Sequence, residues 1–138
     1  MQSTRKVTED IRWVGCNDRR LALFENLFPI PRGVSYNSYL IMDEKVTLMD
    51  TVDASVTHQF IENLDYTLEG RSIDYLVIQH MEPDHCANIE ELMRRYPNMQ
   101  VVANQKTMQM IGQFFDISTE GRTVLVKEGD ELNTVPLL

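Results

Sequence analysis

From residue 46 onward the apolar pattern switches back and forth between two periods, and this alternation constrains the fold more than any other feature. Short apolar runs at residues 46–49, 74–79, 100–103 and 123–127 suit strands. Between them Val56, Phe60, Leu64 and Leu68 form one stripe at helical spacing. Ile89, Leu92, Met93 and Tyr96 form a second, and Met108, Ile111 and Phe115 mark a third. Strand and helix repeated in this order predict an α/β sheet with right-handed crossovers. Asp53 or Ser55 can cap the first helix, Gly70 sits just beyond its end, and Pro97 stops the second. The run at 74–79 does not alternate, which predicts a strand covered on both faces.

Upstream, Ile11-Trp13-Val14 and Leu21-Leu23-Phe24 flank the turn-like Cys16-Asn17-Asp18, a pattern that predicts an N-terminal hairpin. Pro29, Pro31 and Gly33 are expected to break any regular element before Tyr36. Tyr39 to Met42 then reads as a strand, residues 43–45 as a turn, and Val46 to Met49 as the partner strand. No segment repeats at a fixed period and no linker composition divides the 138 residues, so a single unit is expected.

Charge narrows the partners. Thirteen Lys and Arg against twenty-one Asp and Glu leave a net charge of −8, the wrong sign for a nucleic-acid partner or an anionic membrane surface. No apolar run approaches the roughly 18 residues of a membrane span. The polar start, Met1 to Lys6, is followed by no signal core. Two cysteines, Cys16 and Cys86, make no disulfide framework, and a cytoplasmic location is expected.

One hexapeptide carries the chemistry: His80-Met81-Glu82-Pro83-Asp84-His85. It follows the strand at 74–79 directly, and ligands of open α/β sheets bind beyond the carboxyl ends of strands. His80, Glu82, Asp84 and His85 are four potential metal ligands within six residues. Imidazole and carboxylate together suit iron, zinc or manganese. Pro83 excludes a regular central strand there, so a shaped loop is expected to let these side chains converge. Acidic residues and histidines at a helix start also occur for a plainer reason, because carboxylates cap exposed amides and complement the helix dipole.

Further ligands are scarce. His58, the only other histidine, falls on the polar side of the first helix and reads as a solvated surface residue. Cys86 adjoins the motif and reads as a small apolar residue packing the helix start. Asp50 and Asp53 follow the strand at 46–49 and could orient a ligand from behind; Asp53 serves equally as a helix cap. The eight methionines read as packing, and Trp13 and residues 36–39 as core and turn.

With these residues in view, the sequence resembles the flavodiiron proteins (A-type flavoproteins), cytoplasmic enzymes that reduce dioxygen or nitric oxide. His80-x-Glu82-x-Asp84-His85 looks like that family's iron-binding motif. The stretches from Pro29 to Ile41 and from Leu48 to Val52 are also similar, and the resemblance runs from about Ile11 to Gly129. It implies a metallo-β-lactamase-like αββα fold, of which this chain holds the N-terminal half: one mixed sheet with helices on one side. Carried over by position, His80 and Glu82 would bind one iron of a non-haem diiron centre, Asp84 would bind the second, and His85 would bind or lie beside it. Related zinc hydrolases usually have a histidine where Glu82 stands, and a carboxylate hardens the site toward iron.

In the family the remaining ligands lie downstream of the segment corresponding to Gly129, whereas no histidine follows His85 here. A flavodoxin-like FMN domain also has no room, so flavin would come from a separate domain or partner. The chain is therefore expected to be the first half of the metal-binding module, whether as a truncated product, one piece of a split protein or a deliberately shortened chain. Its open sheet face would pair with a second copy or a complementary chain, since each Å² of apolar surface left wet forfeits roughly 25 cal/mol. Electrons would come from a flavodoxin-like or rubredoxin-like donor. Two alternatives remain open: a zinc-dependent hydrolase of the same fold, and a metal-poor remnant or interaction module.

Overall fold

The computed structural model describes residues 3–18, 23–24, 28–29, 34–115 and 119–132, with the side chains of Asp18, Leu23, Phe24, Phe28, Pro29, Val34, Pro83 and Asp84 left out. In chain order the elements begin with strands β1 (Arg5–Lys6), β2 (Ile11–Trp13), β3 (Cys16–Asp18), β4 (Leu23–Phe24), β5 (Phe28–Pro29) and β6 (Val34–Tyr36). Strands β7 (Tyr39–Met42) and β8 (Val46–Met49) follow, then helix α1 (Thr57–Leu68), β9 (Tyr75–Val77) and the single turn α2 (Pro83–Cys86). Helix α3 (Ile89–Arg95), β10 (Gln100–Ala103), α4 (Gln105–Phe114) and β11 (Thr123–Leu125) complete the series.

A seven-stranded mixed sheet runs in the order β1-β2-β7-β8-β9-β10-β11. Strands β8 to β11 are mutually parallel, and β1, β2 and β7 extend the sheet antiparallel. Register lines up Leu40, Leu48, Leu76 and Val101 across four strands, and each is 0% exposed. Val56, in the turn just before α1, and Phe60, Leu64 and Leu68 of α1 pack into the same core, together with Ile89, Leu92 and Met93 of α3 and Ile111 of α4. All the long helices therefore cover one face, as right-handed crossovers between strands added in one direction require.

The opposite face carries its own row, Trp13, Tyr39, Met49, Val77, Val102 and Val124, one residue from each of six adjacent strands. Apart from Val102 these are half-buried. This corrects the expectation for residues 74–79. Leu76 and Ile78 are buried on the helix side, whereas Tyr75 and Val77 are half-buried on the other, where no described layer covers them.

The N-terminal hairpin is also corrected. Cys16–Asp18 is not a turn but strand β3, paired antiparallel with β6 in a separate two-stranded sheet. Strand β2 pairs with β1 and β7, and β4 pairs with β5. Leu21 lies outside the described residues. The prolines do not clear the region of strands either, because Pro29 closes β5 and Val34–Tyr36 forms β6; Pro31 and Gly33 lie outside the described residues. The partners β7 of β2 and β6 of β3 are distant in sequence, where local pattern carries no signal. No described helix is long and apolar enough to cross a membrane.

Candidate metal centre

The carboxyl ends of the parallel strands gather the polar residues. Strand β8 ends at Met49 and runs directly into Asp50, and its neighbour β9 runs out through Ile78 and Gln79 into His80. Asp50 N–H donates to the carbonyl of Val77 at 2.8 Å, and Ile78 N–H donates to that of Val102 at 3.0 Å, so both neighbouring strands hold the start of the loop. Asp50 has φ of 60°, in the left-handed region where a non-glycine residue is uncommon and Asp is among the better tolerated. Its polar groups are fully employed. The backbone carbonyl accepts from Ser38 Oγ at 2.8 Å, Oδ1 accepts from Gln79 N–H at 2.8 Å, and Oδ2 lies 3.2 Å from His85 Nδ1. With 4% exposure, Asp50 is a buried polar residue whose side chain bonds only to the loop and its entry among the contacts described.

The far end of the loop is tied down as firmly. Pro83 takes the first position of α2, where a missing amide costs nothing, and the carbonyl of Glu82 accepts from His85 N–H and Cys86 N–H at 2.8 and 3.1 Å. Thr51 donates to the His85 carbonyl from both its amide and its hydroxyl. Asn88 closes the arrangement, its Nδ2 donating to the Val52 carbonyl at 2.9 Å and its Oδ1 accepting from Thr57 Oγ1 at 2.7 Å.

The structure brings two of the sequence candidates together. The rings of His80 and His85 are 5.3 Å apart between centroids and meet edge to face at 65°. His80 is exposed, and the His85 side chain is 27% exposed. Glu82 is exposed at the N-cap of α2, yet its side chain makes no capping hydrogen bond, so the plain helix-cap role is not the one it fills. The side chain of Asp84 lies outside the described residues. Among the described residues no three His, Cys, Asp or Glu side chains are grouped to hold a metal ion. The donor types suit iron, but this segment on its own presents a partial ligand set, and a complete centre needs donors from elsewhere.

The other candidates fall where packing puts them. His58 pairs with Glu62 at 3.0 Å on the exposed side of α1. Cys86 is buried in the core, and Asp53 caps the turn at Ala54–Val56 by accepting from Ser55 N–H at 3.0 Å. Sequence reasoning missed Thr51 and Ser38. Their signal was positional: both border the end of β8, the strand next to the one that delivers the motif.

This sheet, with helices on one face and an imidazole-carboxylate loop at its carboxyl edge, defines the metallo-β-lactamase-like domain found in flavodiiron proteins. Among solved structures, a flavodiiron protein from Giardia intestinalis superposes with a TM-score of 0.88 at 22% identity, over 97% of this chain and 32% of the other. The rubredoxin oxygen:oxidoreductase of Desulfovibrio gigas gives 0.83 at 28% identity, over 93% and 32%. A family model described as "ODP family beta lactamase" matches residues 34–136, and the chain belongs to that family. An anaerobic nitric oxide reductase flavorubredoxin of Vibrio vulnificus is 36% identical over 132 residues, covering 94% of this chain and 26% of the relative. That of Aliivibrio fischeri is 38% identical over 109 residues, covering 78% and 22%. The chain thus spans about a quarter of the length of these curated relatives.

Proposed function

We propose that this chain is the first part of the metal-carrying domain of a flavodiiron-type oxidoreductase acting on dioxygen or nitric oxide. In this reading His80, Glu82, Asp84 and His85 supply one side of a non-haem diiron centre, and a further segment supplies the rest. The observation that carries it is the position of the loop: it leaves the carboxyl end of a central parallel strand and keeps the Glu82 side chain out of helix capping. Relatives that match this segment are named as nitric oxide reductases, and a structural neighbour is named as an oxygen reductase. Bound iron would supply the redox change and a coordination position for the gas. The protein's share is to hold two imidazoles and two carboxylates at a fixed edge. FMN comes from a separate domain or partner, and the electron donor is flavodoxin-like or rubredoxin-like. The partner does not include nucleic acid or a membrane, and the location is the cytoplasm.

The apolar row on the sheet face that no described layer covers supports a second part of the reading, that a complementary segment or a second copy packs there. It equally favours the alternative of a metal-poor interaction module, because the described donors are few. Elemental analysis of chain purified and loaded with ferrous iron without oxygen separates these. Iron retained by the wild type and lost in both Glu82→Ala and His85→Ala supports the diiron reading. A stable oligomer without iron overturns it in favour of the interaction module, and zinc with phosphodiesterase turnover overturns it in favour of a hydrolase.

A further inference from the structure

We propose that Asn88 is a positioning residue that presets the His80–His85 loop, by clasping the chain that leaves the loop to the junction between β8 and α1. The inference rests on reading that loop as one side of a metal centre, and on that reading the clasp acts before any metal arrives. Asn88 holds the N-cap position of α3, where an asparagine ordinarily takes an extended backbone and accepts from an amide of its own helix. Here φ is −100° and ψ is 12°, and the side chain makes no capping hydrogen bond. Asn88 is nevertheless only 3% exposed, so its polar groups need partners inside the protein.

Three of those partners lie on the segment from the end of β8 to the first residue of α1. Nδ2 donates to the Val52 carbonyl at 2.9 Å. A carbonyl only accepts, so this contact fixes which way the amide is turned and sets Oδ1 toward the Thr57 hydroxyl, 2.7 Å away. The backbone N–H of Asn88 donates to Thr51 Oγ1 at 3.3 Å. Thr51 in turn donates to the His85 carbonyl from its amide and its hydroxyl. The clasp therefore has two links on either side of the end of α2, a single turn of four residues that is too short to hold its own shape. Without the Asn88 side chain the Val52 carbonyl keeps only a 3.4 Å contact to Thr51 Oγ1, whose one hydrogen is engaged at 2.9 Å by the His85 carbonyl.

Asn63 supplies the contrast. It is equally buried and bonded through both side-chain groups, but it holds Val14 and Gly15 rather than the loop. The test is residue-resolved amide hydrogen exchange in the metal-free full chain. The amides of Thr51, His85 and Cys86 report on the clasp and the loop, and that of Val101, bonded to the Arg122 carbonyl, reports on the sheet. The variants are Asn88→Ala, Asn88→Asp, which keeps the size but removes the donor to Val52, and Asn63→Leu.

In the wild type the three loop amides are expected to be protected although no metal is present. In both Asn88 variants they are expected to lose about tenfold or more in protection beyond any loss at Val101, the cost of orphaning one buried polar group. Asn63→Leu is expected to show no such excess. Loop amides that exchange freely in the wild type overturn the proposal without any variant, so failure of the Asn88 variants to fold does not shelter it. An equal loss at loop and sheet in those variants, or the same excess in Asn63→Leu, also overturns it, because Asn88 would then serve general stability alone. Since exchange is followed without metal, a chain that takes up no iron but protects its loop ends the diiron reading and leaves this one standing. Where the wild type retains iron, Asn88→Ala retains less than Asn63→Leu does, and equal retention overturns the proposal.

Discussion

The carbonyl oxygen of His85 accepts two hydrogen bonds from a single residue, Thr51, at 2.7 Å from the amide and 2.9 Å from the hydroxyl. The same hydroxyl oxygen accepts from Asn88 N–H at 3.3 Å, and Thr51 is 0% exposed. Thr51→Val keeps the volume and the amide bond but strips Asn88 of its partner. A loss of about 1–3 kcal/mol in unfolding free energy is expected, the usual cost of orphaning a buried polar group. Urea denaturation checks it: the midpoint should fall with the slope unchanged. An unaltered midpoint would mean that the hydroxyl contributes nothing to holding the loop.

Asn63, on α1 and fully buried, anchors the N-terminal strands. Its Nδ2 donates to the carbonyls of Val14 and Gly15 at 3.1 and 3.0 Å, and its Oδ1 accepts from Ser3 N–H and Gln59 Nε2 at 2.8 and 2.9 Å. Asn63→Leu satisfies the size of the site and none of these groups, so at least about 1–3 kcal/mol should be lost. Amide exchange gives the more specific readout. Protection of β2 and β3 should drop further than that of β9 and β10, and uniform loss would count against an anchoring role.

Arg122 reaches back from the approach to β11 and donates to three carbonyls, those of Met93, Tyr96 and Met99, at 3.1, 2.8 and 3.1 Å. All three lie where α3 ends and the chain turns into β10, and the Tyr96 carbonyl also accepts from Met99 N–H at 3.0 Å. A lysine ammonium keeps the charge but not the planar fork that reaches all three. Arg122→Lys is therefore expected to destabilise by about as much as Arg122→Ala. A lysine variant with wild-type stability would show that charge at the helix end, rather than geometry, is what matters.

Burial pushes the thiol of Cys16 from its ordinary value of 9.0 up to about 11. Below pH 9 the thiol is protonated in both folded and unfolded chain and contributes no pH dependence. As pH rises from 9 toward 11 the unfolded chain gives up this proton first, so unfolding is favoured and stability falls. The difference between wild type and Cys16→Ala, taken from denaturation at about pH 8 and about pH 10.5, isolates this effect from other titrations. Wild type should lose more stability over that interval; an equal loss would place the thiol at its ordinary value.

What the sequence conveyed depended on how far apart the interacting residues lie. The α1 stripe Val56, Phe60, Leu64 and Leu68 is local, and all of it is buried in the core. The β7–β8 hairpin is also local, and its register Tyr39↔Met49 through Met42↔Val46 follows the reading of residues 39–49. The pairing of β3 with β6 joins residues on either side of a long excursion, and its cause is a backbone contact rather than a pattern. A Cβ on Gly15 would sit 1.9 Å from the Tyr36 carbonyl oxygen, so only glycine lets the chain pass there. Nothing in the spacing of Ile11, Trp13 and Leu23 announces that approach.

The site divided in the same way. The motif from His80 to His85 could be read as a candidate because its four possible donors fall within six residues. Asp50 could be suspected because it directly follows a strand. Thr51 could not, because its role depends on which residue the neighbouring loop presents to it. Its hydroxyl meets the carbonyl of His85, 34 positions away.

The hydrogen bonds that shape the His80–His85 loop have a common property: among those described, none involves a residue beyond Val102. A ribosome releases a chain from its N-terminus, so the clamp from Asp50 and Thr51 is complete once β10 has emerged. The loop can therefore take its final form while whatever follows is still being translated. On the proposed reading of the loop as one side of a metal centre, a metal that visits early would find His80 and His85 already in place.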